Sequence, residues 1–386
     1  MNATCKAGAL CAAVEAASRP VNNHATTPIL SGLLLSIASG AIEVCGTNIE
    51  TTVAARLPAS PGGPGAVVVA SASLLASYLK TLDGEESVAL STSAPGLTLR
   101  SGRRASTLRT LPAEDFPPLP NASPEPGVEE WHIRVAGADL RAAVTRACFC
   151  ASSDEARGAV LMGTLLCVDR HGAASLTATD GFVLARTPLP TNGDPATPEA
   201  FIVPSVGLVN AARTLGGAER VDITVAGHGS ARDLSISNYL TLASPEARVM
   251  VRLVDGRYPN VDAVIPANPP VTVDIARAPL LDALRRAGLV DVVASSLVRL
   301  SFEEGTLTIS ASSDEAGRAL ETLPLLEPLL GPAIVVGFSA KRLASILTHI
   351  NTDTVRLGLS TPHVAMLVRP AAGDEIYVLM PVRIAL

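Results

Sequence analysis

The 386-residue chain has few aromatic side chains, almost no lysine and no long apolar run. Aromatic residues make up 3% and apolar residues 48% of the chain, so Leu, Val, Ile and Ala must build its cores. The apolar runs are too short and too often interrupted to cross a bilayer. The N-terminal "MNATCKAGALCAAVEAASR" lacks the charged region and the unbroken apolar region of a signal peptide. We therefore expect a cytoplasmic protein with no membrane partner.

Cysteine and histidine patterns argue against a disulfide framework or a metal site. The six cysteines include no CxxC pair, which fits a reduced compartment. The six histidines show no ligand spacing, and the sequence contains no P-loop, no strand followed by GxGxxG and no nucleophile elbow. The segments "SSDEARG" and "SSDEAG" leave a metal-dependent hydrolase as an alternative, although an Asx residue in a turn has a structural role of its own. We expect no catalytic residue, no cofactor and no metal.

Three patterns recur in the same order at nearly the same period, as expected of repeated domains. The first is a strand, an Asx turn and a strand ending in Leu-Pro, with the Asx residue at Asn48, Asp180 and Asp314. The second is a buried strand that runs into a helix, with a turn serine at Ser71, Ser205 and Ser339. The third is a short strand followed by a helix, in "ATCKAGALCAAVEAASR", "IRVAGADLRAAVTRACF" and "VDIARAPLLDALRRAG".

The repeats predict three domains, at residues 1–127, 128–269 and 270–386. Alternating segments such as "GLTLRSG" and "TVRLGLS" indicate half-buried strands. We therefore predict an α+β fold of three tandem domains, each with two helices packed on antiparallel sheets. The linkers "PNASPEPG" and "IPANPP" are proline-rich and should be extended.

The second helix of each unit has an apolar stripe at helical spacing. In the third unit the stripe is Leu343, Ile346, Leu347 and Ile350. In the first unit the same spacing selects Leu74, Leu75, Tyr78, Leu79 and Leu82. We expect these side chains to be buried and the opposite, polar faces to be exposed.

The net charge of −6 is unevenly distributed along the chain. The predicted helices hold eleven basic and three acidic residues, which leaves nineteen basic and thirty-three acidic residues elsewhere. Glu is as good a helix former as Arg, so helix propensity does not explain the excess of Arg. A positive helical surface on an acidic protein suits a polyanion bound through its backbone without base readout.

The chain resembles the bacterial DNA polymerase III β subunit family, the sliding clamps. The resemblance rests on "TTPILSGLLLSI", "STLRTLPAEDFPPLP", "LTATDGFVLA", "RLVDGRYPNVDAVIP" and "YVLMPVRI", which cover the chain in order. It implies a non-catalytic processivity factor that forms a head-to-tail homodimeric ring around duplex DNA. The implied partners are the replicative polymerase, the clamp loader, repair polymerases and mismatch-repair factors.

The resemblance also implies what the apolar C-terminal segment "IYVLMPVRIAL" does. In this family the last strand forms one wall of a pocket for short linear peptides. Carried over by motif, the pocket comprises Leu161, Thr179, Gly181, Phe182, Val183, Leu184, Pro259, Ala263, Val264, Val378, Leu379, Met380, Pro381, Val382 and Arg383. Alternatively these residues only close the sheet of the third domain, and both roles are compatible for different side chains.

Charge and resemblance together assign two further surfaces. The predicted DNA-facing residues are His24, Lys80, Arg141, Arg146, Arg213, Arg277, Arg285, Lys341 and Arg342. The predicted dimer-interface residues are Ser106, Leu108, Leu289 and Val290.

The pocket departs from the family pattern, because Val183 stands where an Arg is usual. The segment after Tyr258-Pro259, which usually carries an aromatic and often a basic residue, reads Val261, Asp262 and Ala263. The pocket should therefore be more apolar than usual. This motivates the alternative of a duplicate clamp that resists a clamp-binding cyclic peptide antibiotic.

Overall fold

The computed structural model describes residues 1–23, 25–60, 62–93, 96–119, 130–192, 198–226, 239–290, 297–313 and 315–384. Within them, one arrangement of eight strands and two main helices occurs three times in chain order. This confirms the predicted α+β fold with three tandem units. The predicted linker segment 120–127 and the predicted turn residue Asp314 lie outside the described residues.

The elements of each unit follow the same sequence of strands and helices. The first unit contains β1 (Asn2–Lys6), α1 (Ala7–Ser18), β2 (Leu33–Ala38), β3 (Ala41–Thr47), β4 (Thr51–Pro58), β5 (Gly65–Val69), α2 (Ala72–Leu79), β6 (Ser87–Ser93), β7 (Gly96–Ser101) and β8 (Arg104–Leu111). The second contains β9 (Glu130–Val135), α3 (Gly137–Ala147), the short α4 (Ala159–Met162), β10 (Gly163–Val168), β11 (Ala174–Thr179), β12 (Val183–Leu189), β13 (Glu199–Pro204), α5 (Ser205–Leu215), β14 (Val221–Ala226), β15 (Tyr239–Ala243) and β16 (Ala247–Arg252). The third contains β17 (Val271–Ala276), α6 (Arg277–Gly288), β18 (Leu297–Glu303), β19 (Thr306–Ser313), β20 (Gly317–Pro324), β21 (Ile334–Ser339), α7 (Ala340–Thr348), β22 (Thr354–Leu359), β23 (Met366–Pro370) and β24 (Ile376–Leu379).

Each unit has two antiparallel four-stranded groups, and the groups join across unit boundaries. One twelve-stranded sheet runs β1-β6-β7-β8-β5-β2-β3-β4-β16-β15-β14-β9, one eight-stranded sheet runs β13-β10-β11-β12-β24-β23-β22-β17, and one four-stranded sheet runs β20-β19-β18-β21. The first boundary is the antiparallel pair β4–β16, and the second is the antiparallel pair β12–β24. Backbone hydrogen bonds therefore continue from one unit into the next.

The repeated Asx turns have a local physical cause. In the first unit, the side chain of Asn48 accepts a 2.7 Å hydrogen bond from the amide of Thr51. In the second, the carboxylate of Asp180 accepts 2.8 Å hydrogen bonds from the amides of Phe182 and Val183. Such side chains satisfy backbone donors that the ladder leaves unpaired, which confirms the turn interpretation at both positions.

Helix burial follows the predicted stripe in the third unit and differs from it in the first. Leu343, Ile346, Leu347 and Ile350 are all buried. In α2 the prediction for Leu74 is wrong, because its side chain is 55% exposed while Leu75 and Leu79 are buried. The buried face of this eight-residue helix is narrower than the spacing alone indicates, and Leu74 lies just outside it.

The six main helices form one continuous layer. Helices pair within each unit as α1 with α2, α3 with α5 and α6 with α7. Between units, the guanidinium of Arg19 at the end of α1 donates a 2.8 Å hydrogen bond to the hydroxyl of Thr214 on α5. After α3, the ring of Phe149 stacks on His349 at the end of α7, with centroids 3.8 Å apart. The layer of helices therefore follows the joined sheets across all three units.

Candidate functional site

The C-terminal strand β24 pairs with β12 of the second unit as well as with β23 of its own. Its register places Leu379 opposite Val183 and Val378 opposite Leu184. Because side chains alternate along a strand, Val378 and Leu379 face opposite ways. Val378 packs with Leu184 and Val261 in a small apolar cluster, whereas Leu379 enters the larger core that fills the third unit.

An apolar cavity of about 190 Å³ opens where β12, β24 and the segment after Pro259 meet. Its rim includes large apolar side chains that are partly exposed, among them Phe182 (41%), Val264 (41%) and Met380 (37%). The complete lining is Leu161, Thr179, Gly181, Phe182, Val183, Leu184, Pro259, Asn260, Val261, Val264, Val378 and Met380. Exposed apolar groups around a concave site mark a place where a ligand can remove apolar surface from water.

The tight turn between β11 and β12 fixes one side of the cavity. The hydroxyl of Thr179 donates a 2.6 Å hydrogen bond to the carbonyl of Val183 and accepts a 3.0 Å one from the amide of Gly181. Gly181 has a φ of +86°, a conformation that favours glycine. Across the cavity, the amide of Met380 donates a 2.8 Å hydrogen bond to the carbonyl of Phe182. The backbone around Phe182 is therefore held on both sides.

Two guanidinium groups lie over the ring of Phe182. The central carbon of Arg157 is 4.7 Å from the ring centroid, and that of Arg342 is 4.3 Å away. Both distances are within the range of a cation–π contact. Behind this arrangement lies a polar cavity of about 430 Å³ that shares Val183 with the apolar one.

Most of the predicted pocket residues surround the apolar cavity, and five do not. Leu379 is fully buried in the core because it alternates with Val378. The amide of Val382 donates a hydrogen bond to the carbonyl of Gly337, and this bond anchors the chain after the pocket. The other three predicted residues outside the lining are Ala263, Pro381 and Arg383. Sequence reasoning missed Asn260 and Val261, although they directly follow the matched Tyr-Pro pair.

Three predicted DNA-facing cations have no ion-pair partner in the part of the chain that the structure describes: Arg141, Arg213 and Lys341. They lie on α3, α5 and α7 and are exposed. The pKa of Arg19 is lowered by burial and by repulsion from Arg213, which places these two cations near each other. The helical layer therefore carries unneutralised positive charge.

Other predicted DNA-facing residues are engaged elsewhere. Arg146 on α3 pairs with the carboxylate of Glu375, which is buried between the second and third units. Arg277 donates to the carbonyls of Thr352 and Leu347, at 2.8 and 3.3 Å, and so caps the end of α7. These contacts hold both side chains within the protein, so neither is among the free cations of the helical layer.

Three more of these cations have nearby carboxylates. Lys80 lies 2.9 Å from Glu15 on α1, and this hydrogen bond raises the pKa of Lys80. Arg285 lies 3.7 Å from Asp282 on the same helix. Arg342 belongs to the polar cavity beside Phe182 rather than to an open helix face. His24 lies outside the described residues.

The predicted dimer-interface residues lie at the two ends of the molecule. In the first unit, Ser106 is partly exposed and Leu108 is buried. In the third unit, Leu289 follows α6 and is 80% exposed, and Val290 is partly buried.

No group of three or more His, Cys, Asp or Glu side chains suited to a metal occurs in the ranges that the structure describes. None of the described helices is long and apolar enough to span a membrane. In "SSDEARG", the carboxylate of Asp154 has a local structural role, since it accepts a 3.0 Å hydrogen bond from the amide of Ala156.

Three joined units, a layer of helices with free cations and an apolar pocket at a unit boundary define a multidomain clamp. Family models of the DNA polymerase III beta subunit match residues 1–120 (N-terminal domain), 134–260 (central domain) and 262–383 (C-terminal domain). The chain therefore belongs to the DNA polymerase III beta subunit family, whose members are non-catalytic processivity factors.

Relatives and solved structures agree with this assignment over the whole length. The beta sliding clamp of Pseudomonas putida is 27% identical over 100% of both chains, and that of Escherichia coli is 27% identical over 96% of both. The crystal structure of the Pseudomonas aeruginosa sliding clamp matches with a TM-score of 0.86 and 27% identity over 100% of both chains. The clamp of the same organism bound to griselimycin matches with a TM-score of 0.89, 27% identity and the same coverage.

Proposed function

We propose that two copies of this chain close head to tail into a ring that encircles duplex DNA and tethers the replicative polymerase. The observation that carries the proposal is the repeated junction between units. At each internal boundary, the last strand of one sheet pairs antiparallel with the last strand of the following unit, in β4–β16 and in β12–β24.

The corresponding strands of the first and third units lack such a partner. In the repeat, β20 occupies the position of β4 and β12, and it pairs only with β19 among the described strands. Likewise β8 occupies the position of β16 and β24, and it pairs with β5 only at Thr110 and Leu111. A second copy would complete the pattern by pairing its β8 with β20 of the first copy. This contact joins two different surfaces, and forming it twice closes a ring of two copies. Six units would then form the ring.

Exposed leucines support an interface at these ends. Leu74 in the first unit is 55% exposed, and Leu289 and Leu320 in the third unit are 80% and 73% exposed. Open strand edges with exposed apolar side chains invite pairing with another chain. Ring closure would cover both features at once.

The helical layer is the surface proposed to face DNA. Its free cations, Arg141, Arg213 and Lys341, suit phosphates, and an otherwise acidic chain of net charge −6 would repel DNA from its other faces. Contacts to the backbone alone carry no sequence information. Such a ring is free to slide, and this role places it in the cytoplasm with the chromosome.

The apolar pocket is the surface proposed to bind partner peptides. The peptides would come from the polymerase, the clamp loader, repair polymerases and mismatch-repair factors. Met380 gives the rim an adaptable surface, which suits several different ligands.

Sedimentation velocity tests the ring. A species of twice the 39.6 kDa chain mass is expected at micromolar concentration. Leu289→Asp should shift it to the single-chain mass, whereas Val206→Asp, at a site 70% exposed on α5 of the middle unit, should not. A wild-type chain that sediments as one 39.6 kDa copy would remove the proposal.

The relatives and solved structures named above do not specifically support the alternative of a duplicate clamp that resists a cyclic peptide antibiotic. The hydrolase alternative has no observation in its favour among the described residues.

A further inference from the structure

The polar cavity next to the peptide pocket is bordered by three cationic side chains, Arg157, Lys341 and Arg342. Four hydroxyl groups also line it, those of Ser152, Ser153, Ser339 and Ser345. Serine hydroxyls and guanidinium groups are donors suited to an oxyanion. The lining therefore favours an anionic group.

The carboxylates in this cavity only partly neutralise the cations. Asp154 is 3.8 Å from Arg157, and Asp180 is 3.4 Å from Arg342, so both ion pairs are long. Arg157 also donates a 2.6 Å hydrogen bond to the backbone carbonyl of Asp180. Lys341 has no ion-pair partner within the described ranges. Three cations against two carboxylates leave a net positive charge with donors available.

Helix α7 adds to the positive electrostatic potential of this cavity. Its N-cap is Ser339, and its first turn contains Lys341 and Arg342 at the cavity wall. The N-terminal end of a helix carries partial positive charge from its free amides. The N-terminal end of α7 and the three cationic side chains therefore both favour a bound anion.

Phe182 fixes the position of two of the cations relative to the apolar pocket. Its ring makes cation–π contacts with both Arg157 and Arg342, and it also lines the apolar cavity. In the turn that carries Phe182, the amide of Phe182 donates to the carboxylate of Asp180, and its carbonyl accepts from the amide of Met380. The guanidinium groups are thus preorganised at the rim of the apolar pocket, which lowers the conformational entropy lost when they bind a ligand.

We propose that Arg157, Lys341 and Arg342 form an anion-binding subsite, and that peptides preferred by this chain carry an acidic side chain there beside their apolar side chains. The inference rests on the proposed peptide-binding function of the apolar pocket. A ligand that spans both cavities needs apolar and anionic groups in close succession. A peptide provides both, whereas a DNA phosphate leaves the apolar cavity unused.

Fluorescence anisotropy with short labelled peptides tests the subsite. The probes are Ser-Glu-Leu-Leu-Phe and Leu-Leu-Phe-Glu-Ser, both amidated, and their two counterparts with Gln in place of Glu. Two registers are used because either end of the apolar segment could face the cations. One Glu peptide is expected to bind about tenfold more tightly than its Gln counterpart, since a charge-assisted hydrogen bond is stronger than a neutral one.

Variants separate the subsite from the pocket. Arg342→Gln combined with Lys341→Gln should abolish the preference for Glu while the Gln peptide keeps its affinity. Arg342→Lys with Lys341 intact should restore part of the preference. Arg170→Gln is the matched control, because Arg170 is exposed in a turn away from both cavities.

The outcomes are distinguishable. If every peptide binds but Glu and Gln peptides bind equally, the subsite is overturned and the peptide pocket stands. If no peptide binds, the proposed pocket function fails. Equal loss of both peptides in the double variant would show a structural role only and overturn the subsite. Because Lys341 is also among the cations proposed to face DNA, duplex competition is measured in the Lys341→Gln variant. If a duplex oligonucleotide still removes only the advantage of Glu there, the cavity belongs to DNA phosphate and the proposal is wrong.

Discussion

Met380 and Phe182, from the last and the middle unit, are joined by a 2.8 Å backbone hydrogen bond across the mouth of the apolar pocket. The C-terminal segment therefore does two things at once. Its strand β24 completes the sheet with β12, and the residue after the strand completes the pocket rim. The closing of the sheet and the lining of the apolar cavity thus fall on different residues of this segment.

Truncation after Leu379 should separate these two roles. Removing residues 380–386 deletes Met380 from the rim but leaves the pairing of β24 intact. Affinity for the Leu-Leu-Phe peptides should fall more than tenfold, while the sedimentation of the ring stays unchanged. Truncation after Ile384 is the control and should keep wild-type affinity, and an equal loss in both truncations would contradict the role of Met380.

The ion pair between Arg146 and Glu375 should stabilise the contact between the second and third units. Their side chains are 30% and 10% exposed, so removing the cation strands a mostly buried carboxylate. Arg146→Met should lower the free energy of unfolding by about 2–3 kcal/mol, less than for a fully buried pair because Arg146 retains some solvent contact. Urea denaturation measures the loss.

A double variant provides the control for this pair. Adding Glu375→Gln to Arg146→Met removes the stranded charge and should recover part of the stability. Additive losses from the two substitutions would show that the side chains do not interact.

The three free helical cations should contribute to DNA binding through phosphate contacts. Replacing Arg141, Arg213 and Lys341 together by Gln should weaken binding to any duplex equally. The slope of log affinity against log salt should decrease by about 0.9 for each lost phosphate contact. Anisotropy of a labelled duplex between low and moderate salt measures the slope, and Arg170→Gln should leave it unchanged. A change that depends on DNA sequence would contradict backbone-only contact.

Thiol reactivity should follow burial. Burial raises the pKa of Cys5 to about 11, and that of Cys45 and Cys148 to about 12. These thiols stay protonated at pH 8 and should resist iodoacetamide, since the thiolate is the nucleophile. The partly exposed Cys11 and Cys167 should be labelled first. Mass spectrometry of the native chain checks this, with the urea-unfolded chain as control, in which all six cysteines should react.

The repeat pattern explains why the fold was predictable. Asn48 and Asp180 marked equivalent turns, and the structure has strands on both sides of each. The strands of different units that pair, such as β12 and β24, are set by tertiary packing that no local pattern encodes. Leu74 shows the same limit, because helical spacing cannot tell which apolar residue faces a neighbouring element.

The site was predictable where it follows local sequence and not where it depends on contacts between units. The turn around Gly181 and the residue Val378 line the apolar cavity that we propose as the peptide pocket. Arg146 and Arg342 lie on helices with a basic bias, but Glu375 and Phe182 come from distant segments and draw them away from the open helix face. Charge counts along a helix do not reveal such partners.

Retention on circular DNA tests the central claim, that the joined units close into a ring, most directly. The labelled protein is loaded with a bacterial clamp loader and ATP onto a nicked circular plasmid, and the complex is isolated by gel filtration. We predict that the protein stays with the circular plasmid in moderate salt and is released when a restriction enzyme linearises it. Equal retention on circular and linear DNA, or retention by the single-chain Leu289→Asp variant, would contradict the ring.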